Sequence, residues 1–145
     1  AVMKQFSRAF VVGSLAVLVG GCGPKPVMEQ EDLNLRLLSI IYAEASAGDP
    51  RLGPRSEEQF KAYVSRRWPV MFSNVKYDSI DELFTSKRDG QPYKFYYGKR
   101  PTGLDRDVAG HEQEGVGGRR FVGFKVGNVE EIDQERFRQL VPSES

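Results

Sequence analysis

Residues able to carry chemistry are few in this chain and lie far apart. Among 145 residues there is one histidine, His111, and one cysteine, Cys22. A zinc site of the usual composition needs several histidine or cysteine ligands, which this sequence cannot supply. Activation of a nucleophile by His111 would require a neighbouring serine that no motif indicates. We therefore predict no catalytic residue, no metal site and no cofactor, and we place His111 at the surface.

Acidic residues match known sites only in part. The stretch beginning at Asp105 resembles the start of a calcium loop, but its fifth and twelfth positions are Ala109 and Val116, which offer no side-chain oxygen. The adjacent residues Glu130 and Glu131 point to opposite faces of any strand, so they cannot work as an acid and base pair. The sequence therefore predicts neither a calcium site nor a glycosidase site.

A glycine-rich stretch with two arginines spans residues 115–120. Its backbone N–H groups and guanidiniums could cradle an anion, but neither a Lys-Ser/Thr pair nor a helix follows, which excludes a phosphate-binding P-loop. A glycine-rich hairpin is the interpretation we favour. Arg120 shares the phase of Val122 and Phe124, so its stem is expected to pack inward. Arg119 then remains the freer residue for contact with a partner.

The single tryptophan, Trp68, allows two interpretations. We predict a large side chain that fills the core and bonds its N–H outward. The alternative is an aromatic platform that binds a glycan or another small ligand together with nearby tyrosines.

The N-terminal stretch has the features of an export signal. Lys4 and Arg8 flank its start, residues 10–19 are almost entirely apolar, and two glycines precede Cys22. The apolar run is about half the length that a helix needs to cross a bilayer. A charged start, a short apolar run and a small-residue cleavage site are typical of a secretory signal. The stretch resembles a bacterial lipoprotein signal with Cys22 as the lipid acceptor, and a buried helix or an uncleaved anchor is the alternative.

This interpretation sets the expected organisation and location. We predict a signal peptide at residues 1–21, a lipidated cysteine and tether at 22–30, one domain at 31–142 and a tail at 143–145. The chain would be anchored by lipid in the cell envelope, facing the periplasm, at the outer membrane. Basic and acidic residues number 21 and 20, so the dense basic surface of a nucleic-acid-binding protein is missing. The predicted partners are the membrane and an envelope protein, and the oligomeric state is left open.

Helical signals dominate the first half of the domain. Apolar residues at helical spacing predict a first helix over residues 29–47. Capping boxes at residues 56–59 and 79–82 predict a second helix from Glu57 and a single helical turn after Ser79. Pro69 is expected to end the second helix, and residues 75–77 are expected to form a short strand.

The sequence pattern of the second half of the domain predicts strands. Alternation predicts strands over residues 93–97 and 119–126, a weaker strand over 107–112 and a return strand over 129–132. A two-residue hairpin is predicted at Gly127-Asn128, and Asp133 is expected to cap a last helix. We predict an α+β domain in which a long N-terminal helix packs on a three- or four-stranded antiparallel sheet, with Phe124 buried between them. A short second helix and a C-terminal helix complete it.

Two stretches carry a family resemblance. Residues 86–93 read Ser-Lys-Arg-Asp-Gly-Gln-Pro-Tyr and resemble the Ser-Pro-Arg-Asp-Gly-x-Pro-Tyr motif of small lipoproteins from planctomycete-type bacteria. Residues 115–124 are similar to the glycine-rich turn and strand that follow in those proteins, and residues 126–129 take the place of their Asp-Gly-x-Val hairpin. Pilin-like and type II secretion pseudopilin-like proteins share this ending, so the resemblance implies a pseudopilin-like fold without catalytic residues.

The chain also departs from that pattern. Lys87 replaces a proline, Val126 replaces an acidic residue, and a cysteine stands where true pilins begin with Gly-Phe-Thr-x-x-Glu. The last difference argues against fibre assembly by the pilin route. The function expected first is therefore a non-enzymatic scaffold or interaction module of the envelope. A glycan-binding or small-ligand-binding module comes second, and a hydrolase with an unrecognised carboxylate pair comes third.

Overall fold

The structure is a computed structural model that describes residues 30–46, 49 and 51–142. The predicted signal peptide, Cys22 and the tail at 143–145 lie outside these residues. Within the described part, no helix combines the length and the apolarity needed to cross a membrane.

The described residues form an α+β fold with four helices and one four-stranded antiparallel sheet, in agreement with the predicted class. The strands pair in the order β1-β2-β3-β4, so each strand lies beside its neighbour in sequence. The elements are α1 (Gln30–Ala45), α2 (Glu57–Met71), α3 (Ile80–Leu83), β1 (Lys94–Phe95), β2 (Val108–His111), β3 (Arg119–Phe124), β4 (Val129–Asp133) and α4 (Gln134–Leu140).

Helix α1 lies across one face of the sheet. Leu35, Leu38 and Ile41 repeat at helical spacing and are fully buried in the larger of two core clusters. The helix approaches β3 closely because Gly123 has no side chain, and a Cβ there would clash with Ser39 Oγ. The distance between helix and sheet is therefore set by a glycine.

Both predicted capping boxes start helices. Ser56 Oγ accepts a hydrogen bond from the Gln59 N–H at 3.2 Å, and Ser79 Oγ accepts one from the Glu82 N–H at 3.3 Å. The predicted end of α2 at Pro69 is wrong, because the helix continues to Met71.

The helix passes Pro69 because the proline removes only one donor from the helical ladder. That donor would have served the carbonyl of Ser65, which lies on the exposed side of the helix where water can bind it. The ladder resumes at once, since the Phe72 N–H donates to the Trp68 carbonyl at 2.8 Å.

The strand predicted over residues 75–77 is also wrong, because this segment is irregular. Its backbone serves another purpose, since the Val75 carbonyl accepts the Trp68 Nε1–H at 2.7 Å. The segment is therefore positioned by its hydrogen bond to the tryptophan and not by pairing with a neighbouring strand.

Helix α4 covers the second face of the sheet, and this layer changes the predicted strand phases. Phe137, Val122 and Tyr96 belong to the smaller core cluster, between sheet and α4. Phe124 packs against this cluster and is only half-buried, so its predicted place under α1 is wrong. Tyr96, which alternation in the strand predicted over 93–97 places on the face opposite Phe95, is also buried, at 5% exposure. The alternation of residues along the strands predicts two faces of the sheet but does not show which helix covers each face.

The last hairpin also differs from its prediction. The Phe124 N–H donates to the Asn128 carbonyl at 2.9 Å, and the Gly127 N–H donates to the Phe124 carbonyl at 2.8 Å. These bonds enclose a three-residue loop with a glycine in its last position, the type I turn with a bulge, rather than a two-residue turn. Val126, the last residue of the strand predicted over 119–126, lies in this loop and is 83% exposed.

Candidate functional site

The glycine-rich stretch forms a tight surface turn at the start of β3. The N–H groups and carbonyls of Val116 and Arg119 bond to each other at 2.9 and 3.1 Å. Gly115 has a positive φ of 70°, and a Cβ there would clash with the Arg119 carbonyl oxygen. The turn therefore requires glycine at this position, and it leaves the Val116 side chain 50% exposed.

A fully buried carboxylate holds the residues next to this exposed turn by hydrogen bonds inside the fold. Glu112 is 0% exposed, and its Oε2 accepts the Phe121 N–H at 2.9 Å. Its Oε1 accepts the Ser86 hydroxyl at 2.7 Å. Both oxygens are thus occupied, and they join the strand after the turn to the segment before β1.

Arg88 adds the positive charge beside this carboxylate. Its Nε lies 3.5 Å from Glu112 Oε1, and its Nη1 lies 2.9 Å from Glu131 Oε1. The guanidinium stacks 4.0 Å above the centre of the Phe121 ring. The side chain is only 12% exposed, so Arg88 links Glu112, β3 and β4 in one place.

Asp89 bonds the other side of the turn. Its Oδ2 accepts the N–H groups of Gly115 and Glu114 at 2.8 and 3.1 Å. Burial works against the charged carboxylate, but hydrogen bonds from the Gln91, Gly115 and Glu114 N–H groups outweigh it and lower the pKa of Asp89. We call residues 113–118 with their supports Ser86, Arg88, Asp89 and Glu112 the braced turn.

The braced turn joins the two stretches that carried the family resemblance. Ser86, Arg88 and Asp89 all lie in the first stretch, and their side chains contact the second or the residues beside it. The sequence interpretation missed this contact and gave these three residues no role. The signal was present in the pairing of a polar, charged motif with a distant glycine-rich turn, although one sequence alone does not show that they touch.

The two arginines after the turn point in opposite directions, as predicted. The Arg120 guanidinium lies 4.2 Å from the centre of the Phe137 ring, and its Nε donates to the Glu114 carbonyl at 3.2 Å. Arg119 is half-exposed, and its Nη2 donates to the Glu131 carbonyl at 3.1 Å. Arg120 is therefore part of the packing against α4, and Arg119 is the more accessible cation.

The surface position predicted for His111 is wrong. Both faces of β2 are covered, so His111 is 1% exposed and packs edge-to-face on Phe137 at 4.9 Å. Nδ1 lies 2.7 Å from the Glu112 carbonyl oxygen and Nε2 lies 2.7 Å from Tyr96 Oη. Since a carbonyl only accepts, Nδ1 carries the proton in the neutral ring and Nε2 accepts the tyrosine hydroxyl. The histidine bonds within the core rather than facing a cleft.

Trp68 is a core residue, as predicted, with 1% exposure and Nε1 bonded to the Val75 carbonyl. This burial leaves no ring face on which a sugar could stack. In the part of the chain that the structure covers, no three His, Cys, Asp or Glu side chains form a group that could hold a metal ion.

No known family model, curated protein sequence or solved structure matches this chain. Its function must therefore be argued from the geometry of its own residues.

Proposed function

We propose that the chain is a non-enzymatic interaction module of the cell envelope, held at the membrane by a lipid on Cys22, and that the braced turn docks onto an envelope protein. The observation that carries this proposal is the use of a fully buried carboxylate, Glu112, to fix a turn that lies at the surface. Burying a charge is costly unless it is paired and hydrogen-bonded. A turn held this firmly presents its exposed groups in one arrangement, which lowers the entropy cost of binding.

The exposed groups of the turn suit a protein partner. Val116 offers an apolar side chain that is half in solvent, and Arg119, the first residue after the turn, offers a half-exposed guanidinium. Arginine is enriched at protein interfaces, and the buried core of an interface is more apolar than its rim. Turnover has less support, because the one histidine and the Glu112 carboxylate bond to groups inside the fold.

The pseudopilin-like arrangement is also part of this proposal. In it, a long N-terminal helix that includes α1 would lie on the antiparallel sheet, with lipid in place of the pilin start. The packing of α1 across β2 and β3 supports this arrangement. The chain would then share the layout of a pseudopilin without its route of assembly.

Crosslinking in the native envelope, followed by recovery of the tagged chain, tests the docking role. We expect Val116→Ser and Arg119→Glu each to reduce recovery of the partner about tenfold, the effect of about 1.4 kcal/mol. Arg138→Glu makes the same charge change at an exposed position of α4 and serves as the matched control. Melting temperatures should stay within a few degrees of the parent, since all three side chains are at least partly in solvent.

Two results would contradict the proposed function. Unchanged recovery in both turn variants would remove the braced turn from the interface. Hydrolysis of a glycan or peptide by the purified chain, lost on substitution of one carboxylate, would overturn the non-enzymatic role.

The anchor has its own test. Cys22→Ser removes the thiol that accepts the lipid, so the variant should migrate differently and leave the membrane fraction. Full retention in membranes with unchanged migration would refute lipidation without affecting the docking result.

A further inference from the structure

A second buried charge lies outside the braced turn. Arg100, in the loop between β1 and β2, is 8% exposed. Its Nη1 donates to Tyr42 Oη at 3.0 Å, and its Nη2 donates to the carbonyl oxygens of Asp105 and Val108 at 3.0 and 2.5 Å. All three acceptors are neutral, and among the described residues no carboxylate forms an ion pair with this guanidinium. Buried charges are usually paired with an opposite charge.

Arg100 lies at the wall of a cavity of about 400 Å³. Four of the residues around this cavity are cationic, two are apolar and none is acidic. The lining residues are Arg51, Lys99, Arg100, Pro101, Leu104 and Arg106.

Nearby carboxylates only partly offset this positive charge. Arg51 pairs with Asp49 at 3.3 Å, and Arg106 approaches Asp107 at 3.8 Å, with both arginine side chains more than 80% exposed. Exposed ion pairs of this kind are weak and exchange readily. Lys125 experiences the excess charge as well, because burial and then the nearby Arg100 guanidinium lower its pKa, although Asp107 and Asp49 act in the opposite direction.

We propose that this cavity binds an organophosphate, with the phosphate held by Arg100, Lys99 and Arg106. Arg100 is fixed in orientation by its three hydrogen bonds, which use both Nη2 hydrogens and one Nη1 hydrogen, so it offers a phosphate its charge and its remaining N–H groups. Pro101 and Leu104 provide apolar contact for the carbon part of the ligand. The volume lies in the range typical of small organic ligands, so a bare anion would leave it largely unfilled.

This phosphate chemistry has two possible sources, a soluble organophosphate or the head group of a phospholipid. The proposal requires neither lipidation of Cys22 nor docking through the braced turn, since none of the residues of that turn lines the cavity.

Isothermal titration of the purified full chain tests the site. The probes are glycerol 3-phosphate for the soluble source and a short-chain, monomeric phosphatidylglycerol for the lipid source, with glycerol as the neutral blank. We expect saturable binding that Lys99→Gln and Arg106→Gln each weaken three- to tenfold, about the value of one charge-assisted contact at a partly exposed site. Lys87→Gln removes an exposed lysine that does not line the cavity and should leave affinity unchanged.

The pattern of binding separates the sources. Binding of glycerol 3-phosphate, either alone or as tightly as phosphatidylglycerol, supports a soluble organophosphate, and binding of phosphatidylglycerol alone supports the lipid. Failure of both probes to bind overturns the proposal, as does binding that Lys99→Gln and Arg106→Gln do not weaken. Both variants replace exposed side chains, so a loss of affinity can be separated from unfolding by their melting temperatures.

Discussion

Glu112 and Arg100 are both buried charged side chains, but the fold satisfies them in different ways. Glu112 receives a hydroxyl and a backbone N–H and lies beside the Arg88 guanidinium. In the described part of the chain, Arg100 donates to neutral oxygens and opens onto a cavity whose other charged residues are also cationic. A charge that the protein itself neutralises can hold a shape, as Glu112 holds the braced turn. A charge stabilised by neutral groups can still attract an ion from solution.

The largest predicted effect tests the Glu112 side of this comparison. Glu112→Ala should lower the free energy of unfolding by about 3–5 kcal/mol, because it leaves the Ser86 hydroxyl and the Phe121 N–H unsatisfied and takes the opposite charge from Arg88. Urea denaturation measures the loss. Glu112→Gln keeps one oxygen acceptor and should lose less. A loss below about 1 kcal/mol for the alanine variant would show that the buried carboxylate does not brace the turn.

Arg100→Met is expected to cost less, about 2–3 kcal/mol by the same measurement. The variant keeps an apolar stem, and although the Tyr42 hydroxyl and two carbonyls lose their donor, no opposite charge is left unpaired. A cost larger than that of Glu112→Ala would reverse the comparison. It would mean that the protein depends on Arg100 as a structural charge rather than as a charge available to a ligand.

Two glycines of the braced turn provide a matched pair. Gly115→Ala should cost about 2–3 kcal/mol, since the new Cβ meets the Arg119 carbonyl in a left-handed backbone. Gly117 has a similar φ of 61° but open space around it, so Gly117→Ala should cost only about 1 kcal/mol. Thermal melts compare the two. Equal losses of stability in the two variants would mean that the backbone moves at Gly115 to accept the new Cβ. The turn would then be less firmly held than its supporting hydrogen bonds suggest.

The smallest predicted effect depends on pH. Hydrogen bonds lower the pKa of Asp89 in the folded chain, so its contribution to stability is present above the ordinary aspartate pKa of about 3.9 and is lost as pH falls through the folded value. Asp89→Asn should therefore cost about 1 kcal/mol near neutral pH. The difference from the parent should shrink as the solution is acidified below about pH 4. Urea denaturation at several pH values measures it, and a difference that does not change with pH would contradict this role.

Features encoded within a few residues could be predicted from the sequence. Ser56, Ser79 and Asp133 each accept a hydrogen bond from an N–H three residues ahead, and the helix starts that they predict are confirmed. The docking of Phe137 on the sheet can be predicted in the same way, because it follows from the spacing of apolar residues within α4.

Features that depend on distant partners could not be predicted. The bond between Ser86 and Glu112 spans 26 residues, and the bond between Arg100 and Tyr42 spans 58. In a single sequence such charged residues look like ordinary solvent-exposed side chains. His111 was misplaced for a related reason, since its burial depends on the two helical layers that cover β2.

Strand β4 forms one edge of the sheet, where unpaired backbone groups could pair with an identical edge on another copy. Glu130 and Asp133 are exposed on this five-residue strand, and Glu131 adds a third carboxylate that Arg88 and Arg119 only partly neutralise. Like charges facing each other across two approaching edges repel. Under the proposed lipid anchor, copies of the chain would be confined to a plane, where edges meet more often than in solution. The acidic edge would then keep a crowded layer of these chains from joining into continuous sheets.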